Sequence, residues 1–241
     1  MERLLGRLVP AANDEEVRDA VREGVSDPEI SRVLGLQPQT PGLLSAREMV
    51  FIHALVLLAR PAVVVETGVA HGSSSVAILS ALRKIGSGRL YSIDLPMVER
   101  EGTIESPEGA CDVGREETTL VAAYDRVGWL IPEALRDRWE LHLGDSLRVL
   151  PDLLSRLDQV DLFLHDSLHR YAHMRGEFEI VWPRLSDGGI LLADDIFVFH
   201  HAAIADFARS AGVRFRTYFG MGVMQKPGRR KTGDGRGEKG T

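Results

Sequence analysis

The sequence predicts a doubly wound α/β fold, and three observations carry that expectation. From Ala62 onward, short apolar runs alternate with stretches of helical periodicity. The runs are rich in Val, Leu and Ile without strict alternation, the pattern of strands buried on both faces by crossover helices. Glycines and acids cluster just past the carboxyl ends of these runs, where open α/β sheets bind their ligands.

The elements follow in order. Residues 1–60 read as a helical cap. Asn13 and Glu16 have capping-box form, Val17, Ala20 and Val21 share a face, and Gly24 supplies a stop. Asp27-Pro28 starts a second short helix ending at Gly35, and Ser45 with Glu48 forms another capping box before a strongly apolar run. The core, residues 61–226, pairs Ala62–Glu66 with helix Ser73–Ile85, then Arg89–Asp94, then Trp139–Leu143 with Ser146–Leu157. Val160–Asp166 is followed by helix Arg170–Trp182, and Ile190–Asp194 by His200–Ala211. Val213–Phe219 and Met221–Gln225 are separated only by Gly220, which makes them an antiparallel hairpin. More than forty residues separate Asp94 from Trp139, with seven acids between Met97 and Leu120. So long an insertion in a compact domain reads as a lid, at about residues 95–137. Residues 227–241 read as a disordered basic tail: from Lys226 on, six basic and two acidic residues sit among glycines with almost nothing apolar to bury.

Composition narrows the classes. With 44% hydrophobic and 27% charged residues the chain is an ordinary globular protein. Its net charge of −6 argues against a nucleic-acid binder. Cys111 is the only cysteine, which excludes an intrachain disulfide and fits a reducing compartment. Charges interrupt the start of the chain, so it is not a signal peptide, and Arg47, Glu48 and His53 interrupt the most apolar stretch, so it is not a membrane span. A cytoplasmic protein is expected.

Chemistry concentrates at the strand ends. The first strand runs into Glu66-Thr67-Gly68-Val69-Ala70-His71-Gly72, and the next helix opens with Ser73, Ser74 and Ser75. Glycines let the backbone turn sharply and approach a ligand closely, while the helix start offers free N–H groups. The spacing departs from the dinucleotide pattern G-x-G-x-x-G, and a carboxylate at Glu66 suits an ammonium group, through bound water, better than phosphates. Asp94 ends the second strand, where a carboxylate can bind a ribose diol. Gly144-Asp145-Ser146 ends the third, within reach of an adenine amine. Three acids at three successive strand ends suit a neutral nucleoside with a cationic tail.

In these motifs the segment from about Ala62 to Gln225 resembles the class I S-adenosylmethionine-dependent methyltransferases. The resemblance implies a Rossmann-like sheet of seven strands with the last hairpin reversed, and S-adenosylmethionine held by Glu66, Gly68, Gly72, Ser73, Ser74, Asp94, Asp145 and Ser146. A second constellation is His165-Asp166-Ser167-Leu168-His169 after the fourth strand, with Asp194-Asp195 after the fifth. Carboxylates that converge repel unless a cation or proton separates them, and oxygen-only ligands favour Mg²⁺ or a similar hard ion. This spacing resembles the metal-dependent O-methyltransferases of the catechol type and, over Asp166–Asp195, the bacterial macrocin-type sugar O-methyltransferases and proteins known as cephalosporin hydroxylases. The likeness implies Asp166, Asp194 and Asp195 as metal ligands. Leu168 departs from the acid that sugar-modifying relatives carry two residues after the first ligand, and His169 stands where the catechol type has lysine. His169 is therefore expected as general base beside Asp166. His165, His173, His200 and His201 read as structural or surface groups, and His71 as a further candidate for ligand contact. Trp129, Trp139 and Trp182 read as packing residues.

The function expected is methyl transfer from S-adenosylmethionine to a hydroxyl of a small molecule with neighbouring oxygens, such as a natural-product sugar or a phenol. Neither nucleic acid nor a membrane is an expected partner, and homo-oligomerisation is left open. The alternatives are a nicotinamide-dependent oxidoreductase, a metal-independent methyltransferase and a non-catalytic nucleoside-binding protein. The glycine spacing and the lack of a Tyr-x-x-x-Lys pair count against the first, and the intact acids against the last.

Overall fold

The structure is a computed structural model that describes residues 1–37, 40, 42–95, 98–100, 103–106, 109–110, 127–197 and 201–228. Most of the expected lid, the tail beyond residue 228, Cys111 and His200 lie outside the described residues, as does the side chain of His201.

Four helices open the chain: α1 (Glu2–Leu8), α2 (Asp14–Ser26), α3 (Pro28–Leu34) and α4 (Ala46–Ala59). Their starts follow the capping signals. Asn13 and Glu16 form a reciprocal capping box on α2, and Ser45 and Glu48 form one on α4. The Asp27 carboxylate accepts the N–H groups of Glu29 and Ile30 at the start of α3, with Pro28 in the first turn. Asp27 also binds across helices. It accepts from Ser80 Oγ at 2.7 Å, with His53 Nε2 at 3.5 Å and Lys84 Nζ at 3.8 Å. Burial alone would raise its pKa, but the bonds to His53 and Ser80 outweigh that and hold it well below the usual carboxylate range.

The chain then alternates β1 (Val63–Thr67), α5 (Ser73–Ile85) and β2 (Arg89–Asp94). Three short strands follow, β3 (Val98–Arg100), β4 (Thr103–Ser106) and β5 (Gly109–Ala110). After a 3₁₀ helix at Glu133–Arg138 come β6 (Trp139–Leu143), α6 (Ser146–Ser155), β7 (Val160–His165), α7 (Tyr171–Val181), β8 (Leu185–Ala193), α8 (His201–Ser210), β9 (Phe215–Tyr218) and β10 (Met221–Gln225). The main sheet has seven strands in the order β6-β2-β1-β7-β8-β10-β9, with β10 antiparallel to both neighbours. The expected doubly wound sheet with a reversed C-terminal strand pair is therefore observed. Both faces are covered, as the unbroken apolar strands require. Val64, Leu90, Leu162, Leu164 and Val223 share one core with α1 to α5. Val65, Ile93, Phe163, Leu191 and Met224 share another with α6 to α8.

Two differences from the sequence reading stand out. Strand β8 begins at Leu185, five residues early: Leu185 pairs with Val160 of β7, and Lys226 exchanges backbone hydrogen bonds with Gly188 and Gly189. Strands β3 to β5 pair into a small antiparallel sheet inside the insertion. Among the described residues no helix is long and apolar enough to cross a membrane.

The topology places the site. Strand order reverses between β1 and β7, and such switch points open a crevice at the carboxyl ends of the strands. Helix α4 runs directly into β1 through Arg60, so its first turn returns to this same edge of the sheet.

Candidate active site at the strand ends

The glycine turn fits its place through missing side chains. Gly68 has φ +82°, and a Cβ there would lie 2.0 Å from the backbone oxygen of Asp166. Its obligatory contact is thus with the end of β7, which brings the β1 and β7 edges together. Gly72, at φ +94°, caps α5 with no side chain, so among the described residues no side-chain cap covers the first N–H groups of that helix. Ala70 takes a left-handed φ of 46° between them.

Several expected ligand contacts are turned inward. Glu66 is fully buried and accepts from Ser74 Oγ at 2.5 Å, Ser75 Oγ at 2.7 Å and Ser92 Oγ at 2.7 Å. Burial still raises its pKa above the ordinary value. Glu66 and Ser74 therefore anchor the helix start from beneath, where a water-bridged contact from Glu66 to an ammonium group was expected. Ser73 Oγ accepts from Leu44 N at 3.3 Å. Ser146 Oγ is bonded to Glu177 and lies 2.9 Å from His173 Nε2, which makes it a support too. A buried carboxylate is a stronger acceptor than a neutral ligand, and these hydroxyls follow it.

Asp94 is placed differently. Its Oδ2 accepts from Val69 N at 2.7 Å and Ala70 N at 2.9 Å, and burial raises its pKa. Nothing among the described residues bonds its Oδ1, which remains available to a diol. Asp145 caps α6, accepting from Leu147 N at 2.8 Å. At the rim, Gly128 N and Leu130 N donate to the carbonyls of Ala70 and His71, and Trp129 Nε1 donates to His71 Nδ1 at 2.9 Å. Trp129 thus stands on the glycine turn with its ring partly exposed, while Trp139 donates to Ser92 Oγ.

The second constellation also converges. Asp166 follows β7, and Asp194 and Asp195 follow β8, paired side by side in register. Asp166 lies well above the carboxylate range, through burial and then the charges of Asp194 and Asp195. Asp194 is pushed up to about 7 by burial and then by Glu48 and Asp195. Among the described residues its buried Oδ1 has no hydrogen-bond partner. Asp195 is raised by burial and then by Glu48. This all-oxygen set with an orphaned buried atom suits a hard divalent cation. Among the described residues, no three acidic, His or Cys side chains are drawn tightly enough to enclose an ion.

His169 Nε2 lies 3.9 Å from Asp166 Oδ1, and the ring is hydrogen-bonded to the backbone of Asp194. Burial first, and His165 second, push its pKa down to about 3. The ring is therefore neutral at neutral pH, with a low affinity for a proton.

Two acids escaped sequence reasoning. Glu177 on α7 is fully buried and gathers the framework. Its Oε2 accepts from Thr67 Oγ1 at 2.7 Å and faces His165 Nδ1 at 2.6 Å. Its Oε1 accepts from Ser167 Oγ at 2.7 Å and from Ser146, and faces His173 Nε2 at 3.0 Å. Burial raises its pKa, but the two histidines outweigh this and leave it well below the ordinary value. The expected structural role of His165 and His173 is thus explained. The second acid is Glu48, whose Oε2 accepts from Ser45 N at 2.9 Å within the capping box. Its Oε1 faces the other way: a Cβ on Gly220 would lie 3.0 Å from Glu48 Oε1 and 3.8 Å from Asp194 Oδ1. The spacing of His173 and Glu177, one helical turn apart, was a usable sign of the first. The proximity of Glu48 had none, since it depends on how α4 meets the β9–β10 turn.

Residues 65–196 match a family model described as a methyltransferase domain. Among solved structures, the O-methyltransferase TomG from Streptomyces achromogenes, determined in complex with SAM, is 18% identical, covers 84% of this chain and 91% of its own, and gives a TM-score of 0.55. An O-methyltransferase from Bacillus cereus in complex with SAH is 14% identical, covers 93% and 96%, and gives 0.55. MycE from the mycinamycin biosynthetic pathway, in complex with Mg, SAH and mycinamycin VI, is 13% identical, covers 88% of this chain and 58% of its own, and gives 0.54. No curated protein matches.

Proposed function

Because the chain belongs to the methyltransferase-domain family, we propose that it is an S-adenosylmethionine-dependent O-methyltransferase that uses a divalent cation and a small-molecule hydroxyl acceptor with a neighbouring oxygen. The observation that carries this reading is the convergence of Asp166, Asp194 and Asp195 beside the glycine turn, with one buried oxygen left unpartnered.

In this reading S-adenosylmethionine supplies the methyl group and lies across the turn. Gly68 and Gly72 let the turn pack tightly against Asp166 and Gly128, and the uncapped start of α5 offers the N–H groups of Ser73 and Ser74 to its carboxylate. Asp94 Oδ1 receives the ribose diol, and Asp145 lies on the adenine side. Asp166, Asp194 and Asp195 would hold the cation, whose charge lowers the pKa of an acceptor hydroxyl. His169, neutral and bonded to the backbone of Asp194, stands beside Asp166 with little affinity for a proton, so the released proton passes to solvent. Orientation of the two substrates can supply roughly 7–11 kcal/mol of the barrier. The Glu177 network therefore matters to rate, because it fixes the ends of β1 and β7 and the start of α6.

The test is direct. Calorimetry should show one-to-one binding of S-adenosylhomocysteine and none of NAD. Methyl transfer to a panel of catechols and vicinal-diol sugars should stop in chelator and return with Mg²⁺. Binding of NAD alone would overturn the cofactor assignment, and full turnover in chelator would make the acid cluster structural.

A further inference from the structure

We propose that Glu48, from the N-terminal helix α4, supplies a fourth carboxylate to the divalent-cation site, facing Asp194 across Gly220. The inference rests on the cation reading above and adds a residue that neither the strand ends nor the glycine turn contains.

Three observations carry it. The capping box fixes the Glu48 carboxylate by its Oε2 on Ser45 N, so its orientation is set by α4 and not by solvent. The other oxygen lies near Asp194 Oδ1, which among the described residues is buried without a partner. Both oxygens lie within 4 Å of one point, the position a Cβ would take on Gly220, and so stand within about 7 Å of each other. The gap exists only because residue 220 is glycine. Its backbone does not require that choice, since no left-handed φ occurs there. The missing side chain thus keeps space open between two carboxylates that repel one another. A cation relieves that repulsion, and oxygen donors alone select a hard one.

The experiment titrates Mn²⁺, as a Mg²⁺ substitute, into the full chain by calorimetry, with S-adenosylhomocysteine affinity measured in parallel as a check of folding. Glu48→Gln retains an oxygen that can accept from Ser45 N while removing the charge. Gly220→Ala retains both carboxylates and places a methyl group between them. Each should weaken Mn²⁺ binding at least tenfold and leave S-adenosylhomocysteine binding within twofold. Should Glu48→Gln fail to fold, Gly220→Ala decides alone. Loss of Mn²⁺ binding in Asp194→Asn, with wild-type affinity in the Glu48 and Gly220 variants, would overturn the role of Glu48 and leave the cation reading standing. A wild-type chain that binds no Mn²⁺ would overturn that reading and this inference with it.

Discussion

Replacing Glu177 by leucine should cost this protein a large part of its stability and dismantle the site without touching a residue that faces it. The carboxylate is wholly buried and joins five groups, Thr67, Ser146, Ser167, His165 and His173. Removing one partner of a buried charge pair costs roughly 3–5 kcal/mol, mostly by stranding the other. The three hydroxyls can turn toward other acceptors, so we add little for them and expect about 4 kcal/mol. Against a typical total of about 5–15 kcal/mol this is severe. With a urea m-value near 3 kcal/mol/M, the unfolding midpoint at pH 7 should fall by roughly 1.3 M. Glu177→Gln keeps one accepting oxygen and should cost about half as much. The sign of the pH dependence follows from the lowered pKa of Glu177. Its contribution is present above the ordinary carboxylate value and is lost as pH falls through its lower folded value. His173, raised by Glu177 against the opposing effect of burial, contributes below about pH 6.5 and loses its share as pH rises through its folded value. Circular dichroism across urea series at several pH values measures both. A midpoint shift under about 0.3 M for the leucine variant would refute the argument.

Other outcomes follow from the same geometry. Gly68→Ala should abolish S-adenosylhomocysteine binding, because its Cβ meets the Asp166 carbonyl at 2.0 Å. Gly86→Ala, at nearly the same φ with nothing within 4 Å, should cost only about 1 kcal/mol of backbone strain and leave binding intact, as calorimetry would show. Asp194 has a folded pKa raised to about 7, so without metal its penalty is absent below about pH 4, grows as pH rises toward 7 and is complete above it. Asp194→Asn should therefore raise the melting temperature of chelated protein at pH 7.5, flatten that pH dependence and abolish turnover. His169→Gln should lower kcat less than tenfold and leave the pH profile unmoved. A loss of about a hundredfold or more with an acid-side limb removed would instead assign His169 the base role.

Much of this architecture was legible because parallel strands buried on both faces must be continuously apolar. The central strands β1, β7 and β8 announce themselves in that way, the half-exposed edge strands β6 and β9 only by their place in the alternation, and the helix starts at Asn13, Asp27 and Ser45 through local capping chemistry. The acids at 166, 194 and 195 could be brought together from sequence because neighbouring strands end side by side. What stayed hidden depends on contacts distant along the chain. Gly188 and Gly189 look like a turn until Lys226 pairs with them. Strands β3 to β5 are too short and polar to show a pattern. Glu66 has the position of a ligand-binding acid, but three serines, one of them on β2, claim it. Glu48 read as a cap and is one, and only the fold reveals where its second oxygen points.

The buried carboxylate at Asp27 bears on how this chain can be cut. It caps α3, accepts from Ser80 on α5 and lies beside His53 of α4 and Lys84 of α5, so a single ion joins three helices on both sides of residue 60. A shortened protein beginning at residue 61 would lack that anion, leave the Ser80 hydroxyl without its acceptor and open the α5 face of the core to water. Such a fragment should be insoluble when expressed alone. An engineer seeking a smaller catalyst, or a graft of this core onto another leader, would have to carry the first sixty residues along.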